Sequence, residues 1–399
     1  MLNQLSARIV NRLRLFRARR MHKTVRFKVG DVHGFYAAMN AENVPYCVLR
    51  WADDVPFEGA SDAAYSHDVD HLIGRHVISK IYRAASDRPG PAKLDFYSIN
   101  GERGSAYAGM PYLTPALAAG ILERRVQEDY PFYVPCIEDA FFSFAYHLVY
   151  HKGVECEVAT GLEGVAPNAD PARDYLAELV RLAERAGIEL GTNPTLLSVH
   201  ELLRAHRWNM PLDLMVRWPR KHAVLRALMK HDQALLQPLV DQVPDIYVFV
   251  LRSQSRVPQN QAVAVKMIST RFDVLDTRVL TETEVTSLSR LTRGGNWYEK
   301  SHVDPILPTD IVVCRERPAR GPLPDGMSAE KIAKRYPYIL NTDVLIKREV
   351  RSVLRKAQSD PETQTSVHAT DNPTETAETL HAVMGNDIES YLRALRQKG

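Results

Sequence analysis

In the stretch Ser66-His-Asp-Val-Asp-His-Leu-Ile-Gly74, Asp68 and Asp70 stand two residues apart among apolar neighbours. Side chains alternate across a strand, so this spacing puts both carboxylates on one face. Two like charges that close repel unless a cation lies between them, and hard oxygen ligands of this kind suit Mg²⁺. Asp95, in the apolar run Lys93-Leu-Asp-Phe-Tyr97, is placed to complete a three-carboxylate site. The competing reading of a bare Asp-x-Asp is a solvent-facing strand end.

A second candidate lies near the end of the chain, where His368 is followed by Ala369, Thr370, Asp371 and Asn372, and then by a Pro373-led acidic run. The run reads as a helix start, and helix N-termini present unpaired N–H groups that attract anions such as phosphate. The plain alternative is a loop histidine beside an ordinary cap. Upstream, Lys347, Arg348, Arg351, Arg355 and Lys356 crowd one predicted helix. Arg348, Arg351 and Arg355 share a face, as a polyphosphate clamp or as a solvated basic surface. His147 and His151, spaced i,i+4, read better as pocket-lining or core-edge histidines than as metal ligands.

These residues need elements to hold them. A chain of 399 residues is long for one core and suggests two or three domains. No apolar run reaches bilayer-spanning length, and no cleavable leader pattern follows the start. Cys47, Cys136, Cys156 and Cys314 form no Cys-x-x-Cys pair, which fits a reducing cytoplasm. A net charge of +3 is too small to argue for a nucleic-acid partner. The charge is uneven, however: residues 1–28 hold no acid. Leu2, Leu5, Ile9, Leu13 and Phe16 recur there at helical spacing among Arg8, Arg12, Arg14, Arg17, Arg19 and Arg20. Residues 1–23 therefore predict a basic amphipathic helix, suited either to an anionic membrane surface or to packing on the protein body.

Residues 24–130 predict helices and strands in alternation, with strands at Pro45–Trp51, at His67–Gly74 and at Pro91–Asn100. Residues 131–244 predict a helical region, including the runs Ile137–Gly153, Ala172–Gly187 and Thr195–Trp208. Residues 245–399 predict a β-α-β-α-β order, then a basic segment, then the His368 turn and a helix. That order suits a small sheet with helices on one face.

The run Tyr46–Trp51, the segment His67–Ile73 and the segment Lys93–Tyr97, with the helix at Glu138–Gly153 after them, resemble the nucleotidyltransferase-fold proteins encoded among bacterial surface-polysaccharide enzymes. The resemblance spans roughly Tyr46 to Gly153. It implies that Asp68 and Asp70 hold Mg²⁺ against nucleotide phosphates, and that Asp95 joins the metal site and helps activate the acceptor. The family's Gly-Ser after the first strand is here Arg50-Trp51, and Arg50 is the substitute phosphate clamp. From about Asp245 to Leu395 the strands and the segment around His368 occur in the order of nucleoside diphosphate kinases. That resemblance implies a ferredoxin-like βαβ sandwich, His368 as a phosphorelay nucleophile, Thr370 as the hydroxyl beside it, and Arg355 in the place of an arginine that contacts nucleotide phosphates. The family's Lys-Pro-Asp is here Arg252-Ser253-Gln254, its asparagine is Thr365, and its orienting glutamate is Thr379, with Glu378 adjacent.

The resulting expectation is an α/β (α+β) protein in which a nucleotidyltransferase-like mixed sheet with a helical extension precedes the ferredoxin-like module. It would use Mg²⁺ and ATP or another NTP to transfer a phosphoryl or nucleotidyl group to a small-molecule or glycan acceptor in surface-glycan assembly. It would be cytoplasmic, with peripheral contact to the anionic inner face of the membrane through its first helix. The alternative is a nucleotide-binding regulator or scaffold whose kinase-like domain is catalytically silent.

Overall fold

The computed structural model describes residues 2–57, 67–168, 173–219, 221–252, 258–292, 297, 305–323, 326–357 and 366–397. The protein is a mixed α/β chain with two four-stranded sheets. It divides into two compact units. The first comprises Met1–Met210 and Leu214–Leu228, and the second Pro211–Asp213 and Met229–Gly399. The expected helical region 131–244 is thus shared between them, and the division falls inside a helix rather than in a polar linker. Among the described residues, no helix is long and apolar enough to cross a membrane.

The first unit opens with α1 (Leu2–Arg20) and continues through β1 (Val25–Val29), α2 (Val32–Ala41), β2 (Tyr46–Val48), β3 (Asp68–Ile73), α3 (Ile78–Ser86) and β4 (Ala92–Ser98). The sheet order is β1-β4-β3-β2. The β3–β4 pair is parallel, and the two outer pairs are antiparallel. Strand β1 was not anticipated from the sequence, although Val25, Phe27 and Val29 alternate with Arg26 and Lys28, because its cations read as part of the basic leader. Its burial alternates strictly. Val25, Phe27, Val29, Val69, Ile73, Leu94 and Phe96 all join the core under α1, α2 and α3. The period-two pattern therefore sends Arg26, Asp68, Asp70 and Asp95 to the opposite face.

Beyond the sheet lie α4 (Pro115–Glu123), α5 (Ile137–Tyr146), α6 (Tyr175–Ala186) and α7 (Leu196–Ala205). Helix α6 stops where Gly187 adopts a φ of +66°, a left-handed position that glycine takes at no steric cost. The α5 helix does not simply continue through the two histidines. It changes to a π-helix over His147–Lys152, a geometry rare enough to mark a site where a side chain is re-aimed. Helices α8 (Leu212–Arg217) and α9 (Ala223–Val240) follow.

The second unit contains β5 (Ile246–Arg252), α10 (Pro258–Ile268), β6 (Phe272–Val279), α11 (Glu282–Leu291), β7 (Pro308–Glu316), α12 (Ala329–Arg335), α13 (Ile346–Ala357), β8 (Val367–Ala369), α14 (Pro373–Met384) and α15 (Ile388–Gln397). Its strands are antiparallel throughout, in the order β6-β7-β5-β8. Helix α11 opens on the expected capping box between Thr281 and Glu284. The expectation of helices on one face needs correction. Tyr247, Phe249 and Leu251 pack with Ala264, Ile268, Val350 and Leu354 of α10 and α13. Ile246, Val248 and Val250 pack with residues of α11, α14 and α15 on the other side. A strand buried on both faces must be apolar at every position, which is why β5 reads as an unbroken hydrophobic run.

Candidate functional site

Strand register brings the predicted carboxylates together. Asp70 is the parallel partner of Asp95, and Arg26 on β1 is the antiparallel partner of Asp95. Neighbouring strands lie about 4.8 Å apart, so Arg26, Asp95 and Asp70 form one row across three strands, with Asp68 one pleat along. Arg26 donates to Asp95 through Nε (2.9 Å) and Nη2 (2.7 Å), a two-point grip. Its Nη2 also reaches Asp68. Arg50 donates through Nη2 to Asp70 Oδ2 and to Tyr112 Oη, both at 2.7 Å. Sequence reasoning missed Arg26 because it missed the strand that carries it.

Burial sets the protonation of this row. It pushes the Asp95 carboxyl up to about 6, against the pull of Arg26, with Asp70 adding to the rise. The hydrogen bond to Asp95 in turn holds the Arg26 guanidinium above its ordinary range. Burial opposes charge on Arg50, but Tyr112 and Asp70 outweigh it and raise this guanidinium too. His71, next after Asp70 in sequence, faces the core. Burial lowers it to about 4, and its ring bonds the Tyr36 hydroxyl and the Val69 and Asp95 carbonyls.

Behind Arg50 the network continues inward. Tyr112 Oη lies 2.5 Å from His147 Nδ1, and His151 Nε2 lies 2.8 Å from the Tyr112 carbonyl oxygen. His151 also stacks on the Tyr112 ring at 3.9 Å. Burial pushes both histidines well below their ordinary range, and Arg50 pushes the same way, so both are neutral. They sit at the edge of the core, one of the two placements expected from the sequence, and they hold Tyr112 and, through it, Arg50.

The turn after β2 carries Trp51. Trp51 sits at φ 56°, a left-handed conformation costing a non-glycine residue about 1–2 kcal/mol. Its ring is fixed by Phe144, Tyr175 and the Arg173 guanidinium, which lies 4.4 Å from the ring centroid. A cavity of about 450 Å³ opens beside it, lined among others by Arg50, Trp51, Asp53, Tyr130, Phe144 and Arg181. Its mixture of aromatic faces, carboxylates and guanidiniums suits a polar ligand with a flat apolar side.

The carboxylates are paired with guanidiniums, and the oxygens of Asp68, Asp70 and Asp95 are not all gathered within 4.8 Å of one another as a closed ligand set. Three carboxylates share one face, and each has more lone pairs than the two guanidiniums engage.

In the second unit, His368 lies on β8 opposite Val250, not in the loop before the helix. Its Nε2 is 3.2 Å from Glu375 Oε1. An ionised carboxylate only accepts, so Nε2 carries the proton in this pair. Glu375 also accepts from the Asp371 N–H (2.6 Å), and its own N–H donates to the N-cap Asn372 (3.0 Å). The partner of His368 is therefore Glu375. It is neither Thr379, which is buried, nor Glu378, whose carboxyl is pushed well up by burial and by Asp213. The sequence signal was present: Asn372-Pro-Thr-Glu375 is a capping pattern, and a capping glutamate turns back toward the residues before its helix.

The other expected phosphate ligands are dispersed. Thr370 is fully buried; its hydroxyl accepts from the Val248 N–H (3.0 Å) and bonds Thr376 (2.9 Å), so it braces α14 to β5 and offers no surface to a nucleotide. Arg351 donates to the Val367 carbonyl (2.7 Å), Arg348 reaches Met327 Sδ, and Arg355 is exposed. Lys347, not Arg348, stands with Arg351 beside β8, held by Asp371 at 2.7 Å. Arg252 is fully buried; its Nε donates to the Ile306 carbonyl (2.7 Å), and its guanidinium also reaches the Trp297 carbonyl. Ser253, Gln254 and Thr365 lie outside the described residues. Compared with protein-family models, with curated proteins and with solved structures, the chain matches none of them.

Proposed function

We propose that the first unit is a Mg²⁺-dependent, nucleotidyltransferase-like transfer centre that uses ATP or another NTP and a small-molecule or glycan acceptor, in bacterial surface-glycan biosynthesis. The observation that carries this reading is that Asp70 and Asp95 are register partners, with Asp68 one pleat along, on the face of a mixed sheet opposite the core under α1, α2 and α3. Asp68 and Asp70 are the residues that would hold the metal, with Asp95 beside them. Bound there, Mg²⁺ would neutralise and orient the nucleotide's phosphates. Asp95, with its carboxyl raised to about 6, is ionised near neutral pH yet basic enough to take the acceptor's hydroxyl proton. The acceptor oxygen then bonds to phosphorus as the bond to the leaving phosphate breaks, and Arg26 and Arg50 are placed to bind the displaced negative charge.

A second reading concerns the second unit. Its 2-3-1-4 strand order, with the crossover helices α10 and α13 on one face, supports a ferredoxin-like, nucleoside diphosphate kinase-like module. Arg252 and Thr370 are consumed by packing, which favours a nucleotide-binding module without phosphorelay. Incubating the protein with α-labelled and γ-labelled ATP separately, with Mg²⁺ and a saccharide acceptor mixture, tests both. The transfer reading expects acceptor labelling that Asp70→Asn abolishes. Labelling of the protein itself, lost in His368→Ala, would instead establish relay in the second unit.

A further inference from the structure

Helix α1 carries two apolar faces where a surface helix needs one. Successive residues are turned by about 100°. Asn11, Leu15 and Ala18 point inward and are buried, with Leu15 and Ala18 in the core of the first unit. Ile9, Leu13 and Phe16 occupy the opposite side and are 54%, 62% and 65% exposed. A helix docked on one side ordinarily shows polar residues on the other. Here the outward side is a stripe of large apolar side chains. Exposed arginines rim it, Arg12 and Arg19 on one flank and Arg17 on the other, with Arg20 in line with the stripe. No acid occurs before Asp31.

We propose that this outward face of α1 seats the protein on an anionic lipid surface, with Ile9, Leu13 and Phe16 in the acyl boundary and the flanking arginines on lipid phosphates. A bilayer offers what both features need along the whole length of the helix: an apolar layer bounded by negative charge. A second copy of the chain would bring two arginine rims together, which repels. A purely acidic partner leaves the apolar stripe in water. The inference goes beyond the transfer reading and stands independently of it.

The test is sedimentation of the full-length protein with vesicles of phosphatidylcholine containing phosphatidylglycerol, against phosphatidylcholine alone. Binding to the anionic vesicles only, weakened by salt, is expected. Leu13→Asn with Phe16→Asn should lower partitioning by at least about tenfold, since two of the three large apolar side chains at the acyl boundary go. Arg12→Gln with Arg17→Gln should also lower it by at least about tenfold, from roughly fivefold per cation near such a surface. These side chains are exposed, so the melting temperature should not move; that measurement separates lost binding from lost folding. Failure of the intact protein to bind anionic vesicles, or equal binding by either double variant, overturns the proposal. So does a concentration-dependent dimer abolished by the Leu13/Phe16 variant in the absence of vesicle binding, which would assign the stripe to a second copy.

Discussion

Replacing Asp95 by Asn should change the stability of the protein in a pH-dependent way, and the structure supplies the magnitude. Burial raises this carboxyl from 3.8 to about 6, so the fold binds its proton more tightly than the unfolded chain does. The sign follows: the contribution to stability is complete below the unfolded value, is lost as pH rises through the folded value, and stays lost above it. A shift of roughly two units corresponds to about 3 kcal/mol at pH 8, at 1.36 kcal/mol per unit. At pH 5 the same linkage gives about half of that, so Asn should gain about 1.4 kcal/mol relative to Asp between pH 5 and pH 8. For a unit of this size that is about 3–6 °C in the difference between the two melting temperatures. The assay is calorimetric or fluorescence melting of both proteins across that range. Comparison across pH cancels the pH-independent difference between the neutral carboxyl and the amide, while the grip of Arg26 on the ionised form is already contained in the raised value. A difference that is flat, or that favours Asp as pH rises, would refute a buried, raised Asp95, and with it the reason for choosing this residue as the base.

The remaining expectations concern both units. Asp68→Asn and Asp70→Asn should each lower Mg²⁺-dependent transfer by about a hundredfold or more in an initial-rate assay while the circular dichroism spectrum is kept. If Asp95 is the base, kcat/KM should fall below about pH 6 in the wild type, following the raised carboxyl, and a pH-independent rate there would contradict it. His147→Phe leaves the Tyr112 hydroxyl with Arg50 alone and should cost about 1–3 kcal/mol in denaturant unfolding, by loss of a buried hydrogen bond. Thr370→Val should cost a similar amount, about 1–3 kcal/mol, yet leave any ATP-induced rise in melting temperature unchanged, because the hydroxyl serves packing and not the nucleotide.

Local pattern alone placed most of the elements. The Asp-x-Asp spacing put two carboxylates on one strand face because side-chain period is a property of the strand itself. The unbroken apolar run of β5 announced a central strand, and Thr281 with Glu284 announced a helix start, since both depend on neighbours in sequence. The meeting of Asp95 with Asp70, and the arrival of Arg26 between Asp95 and Asp68, are matters of strand order and register, which no local window contains. The same limit applies to His368: the sequence placed it near a helix start, but pairing with Val250 made it part of a strand and the turn-back of Glu375 supplied its partner. Thr370 looks like a phosphate ligand in one dimension because hydroxyls bind phosphate, and Arg252 stands where the kinase resemblance expects a clamp lysine. Only tertiary burial, which forces every polar group to find a partner inside the protein, shows that theirs are backbone groups and another threonine.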